Sequence, residues 1–124
     1  MNSKSGRMDN KEFAKQLEDR TKRFAVAIIG VSTRLPNTPE GRVVKTQLTK
    51  AGTSVGANYR EANRARSRVD FSSRIKICES EASETQYWLE VSVESGWLSM
   101  DDISNDYKEC GELLAIFSSI GRNA

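Results

Sequence analysis

KAGTSVGANYREANRARSRVDF, residues 50–71, offers two readings of its first half. Glycines spaced among small residues suggest a loop that cradles phosphate. Such a loop needs a strand before it and a closing Gly-Lys-Ser/Thr, so that its backbone amides converge on the anion. This stretch has no such lysine and no strand pattern before it. Val44, Leu48, Ala51, Val55, Asn58, Ala62 and Ala65 instead recur at threes and fours straight through the glycines. That is the period of one helix face, so Gly52 and Gly56 are predicted to lie inside a helix.

The same period extends outward in both directions. Before this helix, Phe13, Leu17, Phe24, Ile28, Val31 and Leu35 predict a first helix from about Asp9 to Leu35, stopped by LPNTP. Proline lacks an amide donor and biases its predecessor towards extended geometry. Thr38 then suits an N-cap, with Pro39 in the first turn and Glu40 near the positive helix end. After the quoted stretch, Ser67 and Asp70 form a capping signal. Phe71, Ile75, Cys78, Ala82, Thr85 and Leu89 predict a third helix, ended at Gly96. Ser99 or Asp101 caps a fourth, marked by Ile103, Cys110, Leu113, Phe117 and Ile120. Short connections favour antiparallel neighbours, so the expected fold is all-α, an up-down-up-down four-helix bundle over residues 9–120. Residues 1–8 are expected to be mobile, and residues 121–124 a frayed end.

A length of 124 residues and 37% apolar content fit one core. The N-terminal MNSKSGRMDNKEF lacks an apolar run after its charges, and FAVAIIGV is far shorter than the roughly 20 residues of a membrane helix. The expectation is a cytoplasmic protein that does not enter a membrane. Zero histidines exclude Ser/His and Cys/His catalysis and His-bearing metal sites. Cys78 and Cys110 fall on core stripes, where a thiol behaves as a small hydrophobe. Glu79, Glu81 and Glu84 are the one dense carboxylate group, but EASE has no matching second motif to converge on it. Pairing with Arg74 or with an arginine of the second helix is the simpler role. No enzyme, cofactor or metal is expected. Asn58 and Thr85, also on core stripes, would need partners and could set register by bonding across the bundle.

Gly52 and Gly56 each cost a helix about 1 kcal/mol relative to alanine. A compensating gain follows if the missing side chains admit a second backbone. With Tyr59 and Asn63 on the same flank, these residues predict a close-packed seam against a neighbouring helix, in the same subunit or in another. Two tolerated glycines in a well-packed helix are the plainer alternative.

The arginines belong to another face. At about 100° per residue, Arg42 and Arg60 lie opposite the core stripe, and Lys45, Lys50 and Arg64 fall within about 80° of them. Charge along the chain is uneven: residues 24–76 hold ten Lys/Arg against three Asp/Glu, a net of +7, and residues 77–124 hold two against ten, a net of −8. The formal +2 of the whole chain conceals a dipolar molecule. A basic stripe can bind nucleic-acid phosphates through counterion release. It can also meet the acidic face of another copy in a heterologous contact that closes into a ring. The third option is neutralisation within one subunit, with the second and fourth helices side by side.

KAGTSVGANYREANRARSRVDF and, after it, EASETQYWLEVSVESGWL resemble the bacterial four-helix-bundle proteins first noticed as reading frames in intervening sequences of large-subunit ribosomal RNA. The likeness covers residues 24–98 and continues more weakly into the last helix. It implies a ring-shaped homopentamer. It also implies kinship with the accessory proteins of diversity-generating retroelements, whose basic surface associates with a reverse transcriptase and nucleic acid. No catalytic residues come with the resemblance. The resulting expectation is a non-enzymatic oligomeric bundle that engages RNA or DNA through Arg42, Lys45, Lys50, Arg60 and Arg64, as an accessory factor to a nucleic-acid enzyme. The rival is a structural or protein-interaction module whose charges serve only self-assembly.

Overall fold

The computed structural model describes residues 10–123. Residues 1–8, Asp9 as the expected start of the first helix, and Ala124 lie outside the described residues. Four helices follow one another: α1 (Asn10–Ser32), α2 (Pro39–Ala62), α3 (Arg68–Glu94) and α4 (Met100–Asn123). Each packs against its chain neighbour, and α1 closes the bundle on α4. The diagonal helices α2 and α4 share no backbone proximity among the described residues. This is the four-helix bundle that the apolar period predicts.

Local chemistry sets the boundaries. The Thr38 side chain accepts the Gly41 amide at 3.0 Å and opens α2, while Ser67 accepts the Asp70 amide at 3.0 Å and opens α3. Ser99, rather than Asp101, caps α4 by accepting the Asp102 amide at 3.1 Å. Helix α3 stops where Gly96 takes a positive φ of 79°, a conformation that costs glycine little. The amides of Trp97 and Leu98 then both turn back to the Ser92 carbonyl.

Three details depart from the sequence reading. Helix α1 ends at Ser32, and Leu35 reaches the core from a turn in which its amide donates to the Ser32 carbonyl. Phe13, expected on the core stripe, is exposed, because the α1 stripe begins at Leu17 and continues through Thr21. Helix α4 continues to Asn123, past the Ile120 at which its apolar period ends.

Phe117, Ile28, Leu48, Ile75, Leu89, Ile103 and Leu113 are the largest fully buried side chains. At about 1.5–3 kcal/mol per buried aliphatic or phenyl group, they dominate the driving force for folding. The buried hydroxyls bond within their own helices: Thr21 to the Leu17 carbonyl, Thr85 to that of Glu81, Ser92 to that of Trp88. Thr85 therefore does not set register across the bundle. Among the polar contacts that do cross between helices, the Thr49 hydroxyl donates to Ser32 at 2.8 Å and the Cys110 thiol donates to the Ala82 carbonyl at 3.2 Å.

Candidate nucleic-acid interface

Helix α2 is built with two unlike flanks. On one, Gly52 and Gly56 face α1 of the same subunit. A Cβ at Gly52 would lie 2.5 Å from Ile28 Cγ2, and one at Gly56 would lie 2.9 Å from Thr21 Oγ1 and 3.2 Å from the Thr21 backbone carbon. Neither neighbour can withdraw easily, since Ile28 and Thr21 are fully buried and branched at Cβ. The seam thus joins two helices of one chain.

Tyr59 and Asn63 take different roles. Tyr59 is buried, its ring edge-on to Phe117 across the core at 5.4 Å between centroids. It takes the core position that the sequence reading gave to Asn58, which is half-buried and donates to the Ser54 carbonyl at 2.9 Å. An alternating three-and-four count chose residue 58, whereas the helix steps by four from Val55 to Tyr59 and the large ring fills the centre. Asn63 is exposed beyond the end of α2, and its amide donates to Glu18 at 2.8 Å.

Of the basic residues, Arg42, Lys45, Lys50 and Arg60 lie along α2, Arg60 beside the groove shared with α1, and Arg64 stands in the turn after the helix ends. Arg42, Lys50, Arg60 and Arg64 are exposed and Lys45 is half-buried. Arg42 is steadied by donating to the Asn37 carbonyl at 3.0 Å. Lys50 sits near Glu81, whose carboxyl is raised above its ordinary range by burial and by Glu84, with Lys50 pulling the other way. Arg60 stands 3.9 Å from Glu18, with its side chain about half exposed at 49%. At that distance and exposure the pair is a weak tie. Glu18 thus touches both Arg60 and Asn63 from a position more than 40 residues away, which no local sequence signal announces.

Between α1 and α2 lies a groove of about 450 Å³ lined by Glu18, Thr21, Lys22, Thr53, Gly56, Arg60 and Glu61. Its lining sets the carboxylates of Glu18 and Glu61 against the cations of Lys22 and Arg60, so it offers a phosphate no net charge. The outer ridge, where Arg42, Lys50, Arg60 and Arg64 protrude, carries the positive field.

Acidic α4 does not neutralise this ridge, since it lies across the bundle from α2. Its acids are met from α1 and the turn that follows it. Arg20 donates to Glu109 through Nε at 2.6 Å and Nη2 at 2.7 Å, and to Glu112 at 2.8 Å, while Arg34 reaches Asp102 at 3.2 Å. This three-membered clamp holds the Arg20 proton more firmly than usual, chiefly through the hydrogen bonds to Glu109. The expected pairing of Glu79, Glu81 or Glu84 with Arg74 or an α2 arginine does not form as an ion pair among the described residues; Glu79 accepts from Ser118 and Glu84 from the Trp88 indole.

Neither thiol is poised for chemistry, since burial pushes Cys78 and Cys110 up to about 12. Among the described residues no group of three or more His, Cys, Asp or Glu is placed to hold a metal ion, and no helix is long and apolar enough to cross a membrane.

A sequence model of 23S rRNA-intervening sequence proteins matches residues 14–119. The chain is also similar to a crystal structure of a protein of unknown function from the S23 ribosomal protein family of Bacteroides thetaiotaomicron. The two share 34% identity and a TM-score of 0.78, over 84% of this chain and 96% of that one. No curated protein matches.

Proposed function

Since the chain belongs to the 23S rRNA-intervening sequence protein family, we propose that it is a non-enzymatic, ring-forming bundle that engages RNA through the outer ridge of α2. The observation that carries this reading is the exposed stripe of Arg42, Lys50, Arg60 and Arg64, placed diagonally from the acids of α4. A cationic ridge without a deep pocket suits a backbone of repeating phosphates and carries no base-specific readout. Exposed aromatic platforms for stacking bases are absent from α2, whose one tyrosine is buried in the core. Binding would then be nearly indifferent to sequence.

Assembly into a ring, a homopentamer in the proteins this chain resembles, would repeat the ridge around an axis. Weak phosphate contacts then add through effective concentration. A nucleic-acid enzyme, a reverse transcriptase among them, is the class of partner such a ring would serve.

The test pairs a filter-binding titration with gel filtration on the wild type and on Arg60→Glu/Arg64→Glu. The reading expects the double reversal to weaken binding to every RNA tried while the oligomer stays intact. An intact oligomer with unchanged affinity would remove this face from RNA binding.

A further inference from the structure

On α3, Tyr87 and Trp88 pack edge-to-face with centroids 4.9 Å apart, and Tyr87 is 55% exposed. They border a shallow groove that also contains Glu79, Glu84 and Lys76 from α3, and Leu114 and Ser118 from α4. Both carboxylates are held in place: Glu84 accepts the Trp88 indole N–H at 3.1 Å and Glu79 accepts the Ser118 hydroxyl at 2.6 Å. Each keeps its second oxygen. Aromatic rings flanked by oriented carboxylates suit a guanidinium, which stacks on the rings and donates in a fork to the acids.

The same chain presents such groups elsewhere. Arg66 and Arg68 flank Ser67 at the α2–α3 corner, both exposed and without an ion pair among the described residues. They cannot reach their own groove. Arg68 and Glu84 stand on one continuous helix, and sixteen residues at 1.5 Å per residue separate them by about 24 Å.

We infer that the Tyr87/Trp88 groove of one subunit receives the Arg66/Arg68 corner of a second copy of this chain. The inference rests on the self-assembly reading above and supplies its contact. Charge complementarity argues for the occupant, because residues 24–76 carry +7 and residues 77–124 carry −8. A corner that fits a groove is a heterologous contact, the type that closes into rings rather than two-fold dimers. It also leaves the α2 ridge from Arg42 to Arg60 facing outward for RNA.

Light scattering after gel filtration tests this with three chains beside the wild type: a corner reversal (Arg66→Glu/Arg68→Glu), a groove reversal (Glu79→Lys/Glu84→Lys) and the combination of both. Circular dichroism confirms that each remains helical. The contact expects the wild type as an oligomer, each reversal alone as the 13.9 kDa monomer, and the combined chain as an oligomer again, because the charges once more complement. Arg68→Ala and Tyr87→Ala, milder changes at exposed positions, should each raise the concentration needed for assembly. A monomeric wild type would overturn the ring reading and this contact together. An oligomeric wild type whose mass neither reversal alters, or whose two disruptions are not repaired in combination, would overturn the contact and leave the ring reading standing.

Discussion

At Gly52 the added volume of one methyl group meets Ile28 Cγ2 at 2.5 Å. Gly52→Ala should therefore lower stability by about 1–3 kcal/mol of overpacking, against a propensity gain of about 1 kcal/mol, and Gly52→Leu should do worse. Gly111 meets only a side-chain nitrogen at 3.8 Å, so Gly111→Ala on α4 should gain about 1 kcal/mol. Thermal melts read both signs; a stabilised Gly52→Ala would show that α1 yields. Glu81 offers a test in pH. Its folded pKa is raised by burial and by Glu84, so its stabilising contribution is present below the ordinary glutamate range and is lost as pH rises through the raised value. Glu81→Gln should raise the melting temperature at pH 7 and lose that advantage as pH falls into the ordinary range. A gain that persists at acid pH would point to another cause. The sequence reveals that the two glycines lie inside a helix, because apolar residues keep step through them. It does not reveal what they face, since a seam within the subunit and a seam between subunits demand the same missing side chains.

Between elements, the α1–α4 seam is the sparsest of the bundle and leans on Arg20. Hydrogen bonds to charged groups contribute about 1.5–3 kcal/mol, but this clamp is a third to a half exposed, which screens it. Arg20→Ala should cost about 1–2 kcal/mol, with a penalty that shrinks in high salt. A denaturant titration at two ionic strengths measures this, and an unchanged midpoint at low salt would show that the clamp contributes nothing. No sequence pattern pairs residue 20 with residues 109 and 112, because only the closure of the bundle brings them together. The helices themselves are legible, down to the caps at Thr38 and Ser67. Two misses concern the core, where Tyr59 displaces Asn58 and Leu35 enters from beyond the helix end; another is Phe13, which the period places on the stripe but which lies beyond its start at Leu17.

Taken whole, the molecule keeps the cations of α2 apart from the acids of α4. The basic ridge of α2 and the acids of α4 occupy diagonal corners with the apolar core between them, and the α4 acids are met by Arg20 of α1 and by Arg34 in the turn that follows it. Uneven charge was visible in the chain, but which helices are diagonal followed only from the fold. The central claim is that this ridge binds phosphates without reading bases. Its most direct test is the affinity of the wild-type protein for two unrelated single-stranded RNAs across a series of salt concentrations. The four exposed cations, Arg42, Lys50, Arg60 and Arg64, on four phosphates predict a slope of about −2.8 in log affinity against log salt, at about −0.7 per phosphate, and the same slope for both RNAs. No binding at low salt, or an affinity for one RNA alone that salt does not weaken, would contradict the account.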